Sequence, residues 1–297
     1  MPTTVVSGTH GLVDGRSTVR EWSITLTDEV TEVVASNSKG ATIQYPGNQN
    51  WSGSFKSWDL QPTMLFPGDT FTFKGVMSQH ANGDQSTAQS GTNEAIVDSI
   101  EIEWDFSGGG PIGYTVNFSA NGTLTLIKVL AISALVDGTA HAMIPTIGTK
   151  FEWSPRIATP AFVQLCDITG MTLSFDSGNQ DYVSSCSPGV HKKVTGNFTA
   201  TASIDVLIDD FLDATVPQVS DNILCKFYTT STLFWAVNHM TVTEFSNIGA
   251  NLESGAPVGL TISLAFTGFA KNTVTPFAWN EGIVQTPEAV PVTKWPV

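Results

Sequence analysis

Pro111–Gly122 reads PIGYTVNFSANG, and Pro257–Gly268 reads PVGLTISLAFTG. The two stretches align without a gap. Pro111/Pro257, Gly113/Gly259, Thr115/Thr261 and Gly122/Gly268 are identical, and Ile112/Val258, Val116/Ile262 and Phe118/Leu264 exchange one apolar residue for another. In the first copy Tyr114, Val116 and Phe118 alternate with Thr115, Asn117 and Ser119. In the second, Leu260, Ile262 and Leu264 alternate with Thr261 and Ser263. Period-two alternation predicts a half-buried strand in each copy, entered from a Pro-Gly chain reversal.

Similar blocks precede each copy in the same order. Ile96–Ile102 aligns with Ala236–Val242, Gly68–Lys74 with Ser220–Lys226, Trp51–Phe55 with Val194–Phe198, and Trp22–Leu26 (WSITL) with Gly170–Ser174 (GMTLS). Every offset lies near 146 residues, the separation of Pro111 and Pro257, with the scatter that loop insertions give. Five strand-like blocks occurring twice predict a mainly β chain with a tandemly duplicated domain. The expected layout is an extended arm over 1–18, a first β domain over 19–138, a connection over 139–161, a second β domain over 162–270 and a proline-containing tail over 271–297. Each domain is expected to hold at most a short helix. Ile204–Ala214, IDVLIDDFLDA, is the best helix candidate, and Thr123–Val136 reads as strand or short helix. Ser78–Glu94, the least apolar stretch, reads as a solvated loop or as an arm that orders against a neighbouring subunit.

Composition narrows the function classes. The chain has 297 residues, 41% hydrophobic but only 13% charged, with 27 acidic against 13 basic side chains and a net charge of −14. The charged fraction is about half that of an ordinary globular protein. Such a chain covers its surface with Ser, Thr, Asn and Gly or buries it against neighbours. The acidic balance argues against gripping nucleic acid through its phosphates, but suits a wall that nucleic acid slides past. MPTTVVSGTHG lacks a basic and an apolar segment, so no secretion signal is expected, and Leu124–Val136 is too short to cross a bilayer. Cys166, Cys186 and Cys225 form no CxxC. Cys225 reads as a small buried hydrophobe, while Cys166 and Cys186 are able to pair.

No catalytic constellation emerges. His10, His80, His141, His191 and His239 have no metal-ligand spacing and read as surface or loop residues. No phosphate loop, dinucleotide fingerprint or nucleophile elbow is present. Neither cofactor nor metal is expected. Glu101, Glu103 and Asp105 share one face of a predicted strand, Ile96–Phe106. They read as a solvated acidic stripe or as glycosidase carboxylates. The eight tryptophans read as core and subunit packing or as sugar-stacking platforms.

The Gly-containing arm from Ser7 to Gly15, the first strand WSITL, and NWSGSFKSW (Asn50–Trp58) followed by Pro62 and Pro67-Gly68-Asp69 resemble the tail tube proteins of long-tailed bacteriophages. The resemblance implies a virion structural protein rather than an enzyme, assembled in the host cytoplasm. It implies β-sandwich domains whose inner sheets close into a ring, with two such domains per chain giving a trimer of pseudo-sixfold symmetry. Expected partners are copies of the chain, other tail proteins and viral DNA passing without specific binding, with no membrane. Glu101, Glu103 and Asp105 would then face the lumen, and Gln79, Asn82, Asp84, Gln85 and Asn93 would belong to a loop bridging successive rings. The competing reading is a two-domain carbohydrate-binding or adhesion module of a virion or cell surface.

Overall fold

In a computed structural model the described residues are 19–34, 42–58, 65–79, 85–129, 143–157, 160–182, 192–207, 215–229, 234–249, 259–266, 283–285 and 292–293. They are mainly antiparallel β, with no helix among them. The chain gathers into two compact units. The first comprises Met1–Ile100, Tyr114–Ala142 and Asp176–Phe198; the second comprises Glu101–Gly113, Met143–Phe175 and Thr199–Val297. Residues 101–113 therefore group with the second unit, and residues 176–198 with the first.

The strands in chain order begin with β1 (Val19–Val34), β2 (Thr42–Ser57), β3 (Thr70–Phe71), β4 (Lys74–Gln79) and β5 (Gln85–Ser90). There follow β6 (Ala95–Asp105), β7 (Gly113–Ala120), β8 (Leu124–Val129), β9 (Phe151–Pro155), β10 (Val163–Leu165), β11 (Ile168–Asp176), β12 (Gln180–Tyr182) and β13 (Lys192–Val194). The last are β14 (Thr199–Leu207), β15 (Asn222–Tyr228), β16 (Phe234–Gly249), β17 (Gly259–Phe266), β18 (Ile283–Gln285) and β19 (Val292–Thr293).

One spatial order occurs twice. β1-β2-β7-β6, with β3 on β6, is matched by β11-β14-β17-β16-β15. The register matches too: Phe55 lies opposite Val116 and Gly53 opposite Phe118, as Ile204 lies opposite Ile262 and Ala202 opposite Leu264. Two turns share one hydrogen-bond pattern. The Phe66 N–H donates to Asp69 Oδ2 (2.8 Å) and the Asp69 N–H to the Phe66 carbonyl (2.9 Å). The Gln218 N–H donates to Asp221 Oδ2 (2.8 Å) and the Asp221 N–H to the Gln218 carbonyl (3.0 Å). Each turn then brackets one residue of the next strand. Gly68 and Asp69 bond both main-chain groups of Val97, and Ser220 and Asp221 bond both of Val242.

These bonds shift the sequence alignment. Trp51–Phe55 corresponds to Ala200–Ile204, not Val194–Phe198, and Val97 corresponds to Val242, not Val237. A Cβ on Gly170 would lie 3.4 Å from Asp205 Oδ2, on the open face. The core residue corresponding to Trp22 is therefore Met171, and WSITL matches MTLSF. Hydroxyl-rich strands of period two resemble each other in several registers, and only main-chain pairing selects one.

The turns differ at one informative position. Gly68 has φ 89° and Ser220 has φ 76°, both left-handed. Glycine adopts that region without steric cost, whereas serine does not. Ser220→Gly is expected to stabilise the protein by about 1 kcal/mol, read as a higher urea midpoint at unchanged m-value.

Three expectations are corrected. Ile204–Leu207, the start of the helix candidate, ends strand β14; Ala202, Ile204 and Val206 are buried while Thr201 and Asp205 are exposed, a period of two. The rest of the candidate lies outside the described residues. Of the two readings of Thr123–Val136, the strand holds over β8, and the residues after Val129 lie outside the described ones. Ser78–Glu94 is not all loop: β5 pairs β4 on one side and β8 on the other, and Thr87, Ala88 and Ser90 are buried. Its Gln, Ser and Thr residues form a strand because both sets of main-chain groups are satisfied and short side chains pack closely. His239 lies buried in β16 with φ 63° rather than on a surface or loop; the other four histidines lie outside the described residues. The expected connection also contains β9, whose Phe151 and Trp153 are buried and which pairs with β15. In the expected tail, β18 pairs β16 at Trp235–Val237.

The cores lie on the apolar strand faces. In the first unit Phe118 sits among Phe73 (centroids 5.0 Å apart), Phe71 (5.3 Å), Trp51 (6.1 Å) and Phe55 (6.1 Å). In the second, Phe227 meets Phe151 (5.0 Å) and Trp104 (6.2 Å). Trp51, Trp104 and Trp153 are buried, and their indole N–H groups donate to the carbonyls of Gly122, Tyr228 and Thr215. Trp235 is also buried, so these four rings offer no exposed stacking platform. Cys225 is buried, and its thiol is pushed well up by burial, as expected of a packing residue. Cys166 is exposed, and Cys186 lies outside the described residues.

Candidate functional site

β6 alternates strictly after Ser99. Ile100, Ile102 and Trp104 are buried, and Glu101, Glu103 and Asp105 are exposed. The three carboxylates thus share the open face, about 7 Å apart along the strand. The same face of the second unit carries Thr172 and Ser174 from β11, Thr201, Ser203 and Asp205 from β14, and Thr261 and Ser263 from β17. Strands β6, β11, β14 and β17 contain no Lys or Arg. The face is therefore acidic and hydroxyl-rich without a basic counterweight. The corresponding face of the first unit differs, since Lys56 is exposed beside Thr115.

Local bonds hold several of these groups. Ser174 Oγ lies 3.4 Å from Glu101 Oε2. Thr261 Oγ1 donates to Asp205 Oδ1 (2.6 Å), and Asn247 Nδ2 donates to Thr261 Oγ1 (3.0 Å). Asp105 accepts from Ser107 Oγ (2.7 Å) and the Gly108 N–H (2.9 Å), capping the turn after β6. These bonds hold its carboxyl below the usual range, the opposite of what a general acid requires. Asp205 joins this face although the sequence reading placed it in a helix. The signal available was its alternation with Ile204 and Val206.

Of the expected bridging residues, Gln79 and Gln85 face each other across the β4–β5 ladder. Gln79 ends β4 and Gln85 opens β5. Asn82 and Asp84 lie outside the described residues. Asn93 is exposed in a turn with φ 57°, and its N–H donates to Thr72 Oγ1 (3.1 Å).

A second charged group, unmarked by any sequence motif, joins β9 to β15. Glu152 bonds Lys150, accepts from Tyr228 Oη (2.9 Å) and lies 3.9 Å from Lys226 Nζ. Lys226 packs over the Phe162 ring at 3.7 Å. Burial pushes the Glu152 carboxyl up, but the bonds from Lys150 and Tyr228 and the two lysine charges outweigh it, leaving a net lowering. Burial, then Glu152, pushes the Tyr228 phenol up, and burial lowers Lys226. A carboxyl lowered in the folded state contributes stability above its unfolded pKa and loses it as pH falls through the folded pKa. Glu152→Gln is expected to cost about 1–2 kcal/mol at pH 7 and progressively less as pH falls below the usual carboxyl range, measured by urea unfolding at pH 7 and along an acid series.

Among the described residues no group of three His, Cys, Asp or Glu side chains is placed to hold a metal ion, and no helix is long and apolar enough to cross a membrane. No protein-family model matches the chain, and no curated protein matches it either.

Proposed function

We propose that the protein is a structural virion subunit: a phage tail tube protein with two tandem tube domains, assembling as a trimer into stacked pseudo-sixfold rings that conduct DNA. The observation that carries this reading is the open sheet face bearing Glu101, Glu103, Asp105 and Asp205 among Ser and Thr, on strands free of Lys and Arg. Carboxylates repel the phosphate backbone, and the absence of basic groups removes the contacts that would hold DNA in place. The twice-repeated strand order supports the tandem arrangement, because one chain then presents two similar wall segments. On this reading the subunit acts in the tail after assembly in the host cytoplasm, beside other tail proteins.

Negative-stain microscopy and mass photometry of the purified protein test the proposal. Hollow rings or tubes at three chains per ring are expected. Dispersed monomers that bind defined sugars on a glycan array would replace it with the adhesion-module reading.

A further inference from the structure

The two matching arrays differ at their outer edges. Beyond Val97, β6 is flanked by antiparallel β11. In the first unit the Ser177 N–H donates to the Asp98 carbonyl (2.9 Å); in the second the Phe106 N–H donates to the Thr169 carbonyl (3.2 Å). Within the second unit that register sets Ile102 opposite Leu173, and both side chains are buried. Glu101 and Ser174 then meet on the open face.

β16 is the counterpart of β6, and β1 of β11. Gly249 pairs with Gly259 as Glu103 lies against Gly113. Asn247, with φ 53°, falls where the β16–β17 register shifts, between Ser246 and Gly249. Phe245 therefore corresponds to Ile100, and Ile248 to Ile102. Past Val242, β16 keeps β17 on one side but has no strand on the other among the described residues. Ile248 is 56% exposed, whereas Ile102 is 0% exposed. Among the described strands β1 pairs only with β2. Its Leu26 is 40% exposed, whereas the corresponding Phe175 is 0% exposed.

We infer that the Thr243–Gly249 edge of one chain docks antiparallel on the β1 edge of a second copy, repeating the β6–β11 junction, with Phe245 opposite Leu26 and Ile248 opposite Ile24. The inference specifies the contact within the ring and rests on the assembly reading above. The occupant is a second copy because each edge lacks the strand type that the other supplies. Pairing two different edges is a head-to-tail contact, which propagates or closes into a ring. It also covers an apolar strand edge that would otherwise template aggregation.

Thr25 and Ser246 correspond to Ser174 and Glu101, and neighbouring antiparallel positions lie within disulfide reach. In a Cys166→Ser background, Thr25→Cys with Ser246→Cys is expected to form intermolecular disulfides on mild oxidation. Neither single variant nor the displaced pair Thr25→Cys with Thr243→Cys should do so. Ile248→Lys, at an exposed position, is expected to give a folded chain that stays monomeric. Rings without the disulfide, or with the displaced one, overturn this junction and leave the tube reading standing. An unmodified chain that remains monomeric at every concentration overturns both.

Discussion

Trp104→Ala is expected to lower stability by about 3–5 kcal/mol, the largest effect of any single substitution considered. The indole is 1% exposed, lies 6.2 Å from the Phe227 ring, and donates its N–H to the Tyr228 carbonyl at 3.0 Å. Truncation leaves a cavity and an unpaired buried carbonyl. Trp104→Phe separates the two contributions, since it keeps most of the apolar volume and loses the donor. It is expected to cost about 1–3 kcal/mol. Urea unfolding followed by far-UV circular dichroism reads both variants. A Trp104→Ala loss below about 1 kcal/mol would mean that the second core is not organised around this ring. Glu103→Gln, one residue away but on the open face, should change stability little, because no packing is lost. That contrast tests the strand's phase directly.

Gly53→Ala comes second, with an expected cost of about 1–3 kcal/mol. A Cβ at Gly53 would lie 2.5 Å from the Ser23 carbonyl oxygen and 2.7 Å from Phe118 Cζ. The matching position in the second array is Ala202, and there the cross-strand neighbour is Leu264 rather than Phe118. One array thus combines glycine with phenylalanine, and the other combines alanine with leucine. Phe118→Leu alone should be costly, because Phe118 contacts four aromatic rings. The double variant Gly53→Ala/Phe118→Leu is expected to cost less than the sum of the singles by about 0.5–1 kcal/mol or more. Strict additivity in a double-mutant cycle would show that the two positions do not compensate. Part of the Gly53 cost should remain in the double variant, since the Ser23 carbonyl is backbone and moves only with β1.

Much of the local structure was legible because alternation reports burial directly. Tyr114, Val116 and Phe118 are buried, as are Leu260, Ile262 and Leu264, and β7 and β17 span matching positions. The exposure of Glu101, Glu103 and Asp105 followed from the same rule. The rule weakened where both periods fit the letters. Val206, Leu207 and Phe211 suit a helix as well as Ala202, Ile204 and Val206 suit a strand, and pairing with β17 decided between them. It failed at β5, whose side chains carry almost no apolar signal although its main chain is bonded on both edges.

By itself the amino-acid sequence determined that the chain is mainly β and which side chains of β7 and β17 turn inward. Each of these depends on nearest neighbours along the chain, where a period of two leaves a direct trace. Tertiary structure decided which strands are neighbours, the register that matches Val97 to Val242, the joining of Asp205 to the acidic face, and the approach of Lys226 of β15 to Glu152 of β9. These depend on main-chain hydrogen bonds between residues far apart in sequence. Such bonds are chemically alike at every position and leave no mark on the residues that make them.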